Sequence, residues 1–319
     1  MNTFKLFSSA AAVALVAAAT PAMAQVASPD WVIEGPIQEI TANTIKVMGV
    51  TIQVPEGKVD TPTKAGVPLI ALKDAMPGRP DGFIGGTAIV TAGSDHGTVT
   101  VQSAQGGSVF SDLSENVLVG EVSSVKGAPL EVNGIKLEAI GETHPVMPSL
   151  PIKNIFGFKV NQSTIDQWSL ISVEGYLGTD DKLYYWAVEA DTGDPTETKA
   201  EVSILRAQCR NRAGTNRDEL EVRGAVHPSA GQFLPTAANA IPSVTLEYLD
   251  GSNPARLRTA TVRPVAVAPT APATAPFYGE YRFTASNLSL SDCPLKVTAK
   301  WQGDSETELA TIDADAEAR

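Results

Sequence analysis

One stretch of twenty residues occurs twice, and it restricts the fold more than any other feature of the chain. Gly35 to Val54 aligns without a gap on Gly120 to Ala139, at an offset of 85 residues. Ile37, Ile40, Ile45, Val47, Val50 and Ile52 fall opposite Val122, Val125, Leu130, Val132, Ile135 and Leu137. In the second and third segments of each copy the apolar residues alternate with polar ones, the period of a strand with one buried face. Asn43-Thr44 and Gly127-Ala128 mark a first turn. Met48-Gly49 and Asn133-Gly134 mark a second, and Asn-Gly is a strong hairpin signal. Each copy therefore opens with a three-stranded meander whose matched aliphatics point inward.

The two copies also end alike. Thr87 to Thr91 and Thr98 to Gln102 read as a hairpin around the turn Ser94 to Gly97. Ile171 to Tyr176 and Lys182 to Ala190 read the same way around Gly178 to Asp181. Five strands per copy, with a longer irregular connection between the third and fourth, fit a small OB-like barrel. Those connections, Pro55 to Gly86 and Gly141 to Gln167, are rich in Pro and Gly and long for plain linkers. Ser163 to Leu170 has room for one or two helical turns.

Several phrases resemble a known family. They are Gly-x-Ile/Val-x-x-Ile/Val from Gly35 and Gly120, and Ile/Leu-x-Val-x-Gly-Val/Ile-x-Ile/Leu from Ile45 and Leu130. Ile171 to Tyr176, with Glu174-Gly175-Tyr176, Lys182-Leu183-Tyr184 and Val188-Glu189, completes the set. Together they look like bacterial DUF5666 repeats, which are exported OB-like modules, over roughly residues 32 to 190. The first copy has Val90 to Gly93 where the second has Glu-Gly-Tyr. The resemblance implies a fold and export, and it assigns no catalytic residue.

Composition changes near residue 199. Arg79 is the only Arg between Gln25 and Thr198, while ten of the 11 Arg lie from Arg206 onward. The polar stretch Asp191 to Glu197 precedes this change and marks a domain boundary. Beyond it Val202 to Gln208, Glu219 to Val226, Ser243 to Tyr248, Ala255 to Val262, Tyr278 to Ala285 and Leu295 to Trp301 read as strands, spaced as in a β-sandwich. Glu219 to Val226, Val244 to Gly251 and Tyr281 to Leu288 resemble bacterial immunoglobulin-like (Ig-like) domains, although no Trp lies between the cysteines. Pro264 to Pro276 is an Ala/Pro/Thr tract suited to an extended loop, and the acidic residues after Gln302 read as a frayed tail.

Lys5 is the only charged residue before Asp30, and the apolar run that follows it ends at Pro21 and Ala22-Met23-Ala24. This is the secretory pattern, with cleavage expected before Gln25. The run is shorter than the roughly 20 apolar residues that cross a bilayer, so no membrane span is expected. The predicted compartment is the periplasm or the exterior. There Cys209 and Cys293, the only two cysteines, are expected to form a disulfide closing a loop of about 85 residues. Without the leader the chain carries 23 Lys+Arg against 36 Asp+Glu, a sign that disfavours nucleic acid and anionic membrane surfaces.

The residues that could carry chemistry are few. His96, His144 and His227 sit in turns or before Pro, none at metal-ligand spacing from a partner. There is no G-x-S-x-G, P-loop or dinucleotide fingerprint. Asp313, Asp315 and Glu317 resemble the first half of a calcium loop without its Gly and distal Glu. Trp168, Tyr176, Tyr184, Tyr185 and Trp186 make the second copy the aromatic centre of the chain. Tyr184 and Tyr185 are adjacent in a strand and must face opposite sides, so one fills the barrel and the other is exposed or packs on a neighbour.

The reading is an all-β protein of two tandem OB-like small barrels plus a C-terminal Ig-like β-sandwich. Its segments are a signal peptide (1–24), two barrels (25–112 and 113–194), a sandwich (199–303) and an acidic tail (304–319). No catalytic residue, metal ligand or cofactor is assigned. The expected role is a non-catalytic interaction or scaffold protein of the envelope, with an envelope protein or a glycan as partner. The alternative is a carbohydrate-binding protein that uses Trp168, Tyr176, Tyr184 and Trp186. It requires an exposed patch including Tyr184 or Trp186, and burial of both removes it. A hydrolase would need a cleft with two carboxyls within about 10 Å.

Overall fold

The computed structural model describes residues 31–95, 98–113, 116–191, 193–210, 218–229, 231–248, 256–265, 277–288, 294, 296–301, 308–311 and 313–315. The expected signal peptide, His96 and Cys293 lie outside them. Regular structure in the described residues is strand, apart from four short 3-10 turns, so the protein is all-β. None of these residues forms a helix long and apolar enough to cross a membrane.

Module 1 contains β1 (Trp31–Ile40), β2 (Thr44–Val47), β3 (Val50–Gln53), β4 (Lys58–Thr61), β5 (Lys64–Pro68), β6 (Thr87–Asp95), β7 (Thr98–Thr100) and β8 (Ser108–Asp112). The meander β1-β2-β3 lies beside β7, in parallel, and β7 pairs with β6. β6 returns to β1, so five strands close a barrel. β1 reaches both neighbours because it bends: residues 31–36 pair with β6, while 37–40 pair with β2 past a register shift after Ile37. The connection from Pro55 to Gly86 is more regular than its composition suggests. It carries the β4–β5 hairpin, joined to β6 through β8, and a 3-10 turn whose Leu69 and Leu72 are fully buried.

Module 2 contains β9 (Asn116–Glu121), β10 (Glu131–Val132), β11 (Ile135–Ala139), β12 (Lys153–Asn154), β13 (Leu170–Leu177) and β14 (Leu183–Ala190). Its order, β10-β11-β14-β13-β9 with β11 parallel to β14, is that of module 1. Here the ring stays a half-barrel. The gap between β9 and β10 is crossed by one bridge, Val122 to Val132, and by the Ser123 N–H donating to the Glu131 carbonyl at 2.7 Å. Of the six matched pairs, Ile40 and Val125 differ most: Ile40 is 4% exposed and Val125 is 64% exposed, so Val125 is not the inward residue that the repeat suggests. Between Gly141 and Gln167 the chain forms β12 and a single 3-10 turn at Gln162–Thr164, shorter than the expected helical turns.

Two repeated glycines have a steric cause. A Cβ on Gly35 would lie 2.4 Å from Met48 Cγ, and one on Gly120 would lie 2.7 Å from Val132 Cγ1. The hairpin tips above them are built alike, with positive φ at Met48 (49°) and Gly49 (82°), and at Asn133 (50°) and Gly134 (87°). Two successive positive φ values define a type I′ hairpin turn.

Module 3 contains β15 (Glu201–Arg210), β16 (Asp218–His227), β17 (Val244–Tyr248), β18 (Arg256–Ala260), β19 (Val262–Pro264), β20 (Gly279–Leu288), β21 (Lys296–Trp301), β22 (Glu308–Thr311) and β23 (Asp313–Asp315). They form two sheets, β19-β20-β16-β15-β23 and β18-β17-β21-β22. Val202, Leu220 and Val222 of one sheet and Val244, Leu246 and Val297 of the other share a single core. Trp301 is fully buried there, its indole N–H donating to the Pro242 carbonyl at 2.8 Å. The acidic tail is not simply frayed: β22 and β23 add an edge strand to each sheet. Cys209 is buried near the end of β15 and is not a free thiol.

Candidate functional site

The four aromatic candidates do not share a surface. Tyr185 joins the core of module 2, and Tyr184, its neighbour on β14, points the other way into the core cluster of module 1. Tyr176 lies beside it, the rings stacked with centroids 5.7 Å apart. Both are buried, at 1% and 5% exposure. The Tyr176 hydroxyl donates to the Pro77 carbonyl at 2.8 Å, and the Tyr184 hydroxyl donates to Asp180 at 3.0 Å. Burial, then the nearby Tyr184, holds the Tyr176 phenol well above its ordinary value. Gly78 admits the Tyr184 ring: its φ is 64°, and a Cβ there would lie 2.4 Å from Tyr184 Cε2. Trp186 is half-buried against the same cluster. Trp168 alone of the four is well exposed, on a left-handed residue after Gln167. Three of the four therefore belong to the joint between modules 1 and 2. Thr61 and Lys64 tighten that joint by donating to the carbonyls of Val146 (2.8 Å) and Pro145 (2.7 Å).

A second joint, between modules 2 and 3, holds groups that sequence reasoning missed. Asn154 is buried and held by three hydrogen bonds: its side-chain oxygen accepts from the N–H groups of Phe156 and Phe158, and its amide donates to the Tyr278 hydroxyl at 3.0 Å. The ring of Phe156 stacks on Tyr278 at 4.3 Å. His227 is not a loop residue; it ends β16, is 1% exposed, and lies edge-on to Phe158 at 4.5 Å. A carbonyl can only accept, so His227 Nδ1 donates to Pro228 O at 2.8 Å. Nε2 then faces the Glu201 carboxyl across 2.7 Å. Ser203 completes a set that by residue type could be nucleophilic. Its hydroxyl instead bonds the Phe156 carbonyl and the Ala225 N–H, out of solvent. The register that sets Glu201 opposite His227 includes a bulge after Ile204, and no periodicity in the sequence encodes it.

What remains open is modest. His144 uses Nδ1 to accept from the N–H groups of Val146 and Met147, and burial and then Lys64 lower its pKa. A cleft of about 210 Å³ in module 1 has Val54, Val101 and Val109 in its wall and Glu56, Lys58 and Asp60 at its polar side. Asp60 anchors the β4–β5 hairpin there by accepting from the Gly66 N–H at 2.7 Å. Among the described residues no group of three or more His, Cys, Asp or Glu is placed to hold a metal ion. Comparison with family models, curated proteins and solved structures found no match to the chain.

Proposed function

We propose that the chain is a non-catalytic, exported interaction or scaffold protein of the cell envelope, built from two OB-like barrels of the DUF5666 kind and an Ig-like sandwich. The observation that carries this reading is the use made of buried polar and aromatic groups. Tyr176 and Tyr184 dock module 2 on module 1. Asn154 with Tyr278, Ser203 with the Phe156 carbonyl and His227 against the Phe158 ring join modules 2 and 3, Glu201 pairing with His227 inside module 3. Catalytic sites turn such groups toward a cleft; here they fix the spacing of three modules, as a scaffold requires. The shared strand order of the barrels supports the OB-like assignment, and two sheets over one core support the Ig-like one. The leader ending at Ala22-Met23-Ala24 supports export. Buried Cys209, not a free thiol, supports a bridge to Cys293.

Photo-crosslinking from modules 2 and 3 in intact cells tests the role, and one recurrent envelope partner is expected. Turnover of a glycoside, ester, phosphoester or peptide by the purified chain, abolished by Glu56→Gln or Asp60→Asn, would overturn it.

A further inference from the structure

The two barrels share one more turn and fill it differently. In module 1 the Gly85 N–H donates to the Ile37 carbonyl, the Ile37 N–H to Gly86 and the Gly86 N–H to Phe83, at 2.8, 2.8 and 2.9 Å. In module 2 Trp168 donates to Val122, Val122 to Ser169 and Ser169 to Asp166, at 2.9, 2.9 and 3.1 Å. Ile37 and Val122 are a matched pair of the repeat, so Trp168 stands where Gly85 does. Both are left-handed, with φ of 81° at Gly85 and 70° at Trp168. A four-residue turn with positive φ at its third position calls for Gly or Asn, and a bulky L-residue is strained there. Burial does not compensate, because Trp168 is 66% exposed. Folding favours the glycine of module 1, and the tryptophan needs another reason.

The ring is also held in place. Ile165 and Ser169, on either side of the turn, are buried. Gln167 Nε2 donates to the Ser123 carbonyl at 3.0 Å, and Lys126 pairs with Asp166 at 2.8 Å. That ion pair fastens the turn to its neighbour at the unclosed corner, where the Ala128 N–H reaches the Val125 carbonyl and Val125 is exposed. An exposed ring on a fixed turn is organised before any ligand arrives.

Its surroundings restrict what can lie on it. Trp168 and Val125 are the only exposed large apolar residues of the two turns, too few for the core of a protein interface. Lys126 and Asp166 neutralise each other, and the further charges that bear on them, Asp194 and Asp191, are negative. This disfavours a nucleic acid, whose bases would otherwise stack on the ring. One ring does not make the cage that a quaternary ammonium group takes. A neutral ligand with an apolar face and a hydroxyl edge fits. A pyranose with equatorial substituents has both: its axial C–H groups meet the negative face of an aromatic ring, and its hydroxyls suit Asp166, Lys126 and Gln167 as partners. We propose that Trp168 is the platform of a binding site for a neutral glycan of β-linked glucose-type sugars, separate from the buried Tyr176 and Tyr184. The proposal rests on the reading of the chain as an interaction protein and names the ligand class of one of its sites.

Titration of the mature chain with cellohexaose and with chitohexaose, followed by calorimetry and tryptophan fluorescence, tests this. Saturable binding of at least one is expected, weakened about tenfold or more in Trp168→Gly. Binding should be unchanged in Phe233→Ala, which removes a comparably exposed ring from module 3. Trp168→Gly installs the residue that module 1 uses, so it should melt no lower than the parent, and its loss of binding would not reflect misfolding. Failure of both hexaoses to bind, equal binding by Trp168→Gly, or equally tight binding of choline or single-stranded DNA would overturn the proposal. So would a Trp168→Gly variant that melts well below the parent, since the ring would then serve the fold. An envelope protein crosslinked to module 2 without hexaose binding would leave the scaffold reading and remove this one.

Discussion

Modules 1 and 2 share one pattern of strands, yet the first closes and the second does not. The difference lies at a single corner. In module 1 the Thr44 N–H reaches the Thr41 hydroxyl at 2.9 Å, and Ile40 pairs with Ile45 to carry β1 into β2. The matching position in module 2 is Pro129, which has no N–H to give. β10 is accordingly reduced to Glu131 and Val132, and Val125 is left outside where Ile40 is buried. Five of the six matched aliphatic pairs therefore keep similar burial in the two modules, and the sixth parts company at the corner where Pro129 replaces Thr44.

The largest test of that contrast is deletion at the corner itself. Ile40→Ala removes buried side chain from a closed core and should cost about 2–5 kcal/mol. Val125→Ala, at the matched but exposed site, should change stability by no more than about 0.5 kcal/mol. Urea unfolding of the mature chain distinguishes the two, and equal losses would mean that module 2 closes in solution. Next in size is a pair of small residues that face the start of each first strand, Ala92 opposite Trp31 and Gly175 opposite Asn116. A Cβ on Gly175 would come within 2.2 Å of the Tyr184 carbonyl oxygen and 2.8 Å of Tyr185 Cα. Backbone atoms at a bulge cannot retreat as a flexible side chain does. Gly175→Ala should therefore cost about 1–3 kcal/mol or more, against roughly 0.5–1 kcal/mol for Ala92→Gly.

The same contrast shows what was legible in the sequence and what was not. Periodicity found the strands, because alternation over Ile45 to Ile52 or Val244 to Tyr248 is a local consequence of having one buried face. The adjacency of Tyr184 and Tyr185 required one of them to leave the barrel, and the structure seats it on module 1. Its destination was not legible, since nothing local records that Gly78 clears space for that ring. Glu201 and His227 escaped for a similar reason: their meeting depends on a hairpin register and a bulge. The strands of the tail were hidden by composition, because edge strands need backbone pairing more than apolar side chains.

A smaller effect is expected at the two hairpin tips. Met48 and Asn133 hold the same left-handed conformation, which Asn tolerates and a long L-residue does not. Asn133→Met should cost about 1 kcal/mol. Met48→Asn should gain somewhat less than that, because the Met48 side chain also lies over Gly35. Thermal melts that moved in the same direction for both variants would show that the tips are not equivalent.

The smallest effect separates the modules by charge. Module 2 has three carboxyls held above their ordinary values: Glu174, by burial and then by Asp112 of module 1, Glu189 by burial, and Asp191 chiefly by burial. A raised carboxyl binds its proton more tightly in the folded chain than in the unfolded one. Its contribution to stability is therefore greatest at low pH and falls as pH rises from about 4.3, the unfolded value, through the raised folded value. Glu174→Gln abolishes that fall. Near neutral pH the variant should be more stable than the parent by under about 1 kcal/mol, since the half-exposed Glu174 is screened by solvent. The advantage should shrink as the pH approaches about 4, and added salt should reduce the part owed to Asp112. Melting curves of the two proteins across that range decide it. An advantage that grew on acidification would mean that Glu174 is stabilised as a carboxylate, and the joint between the modules would then lack the like-charge contact described for it.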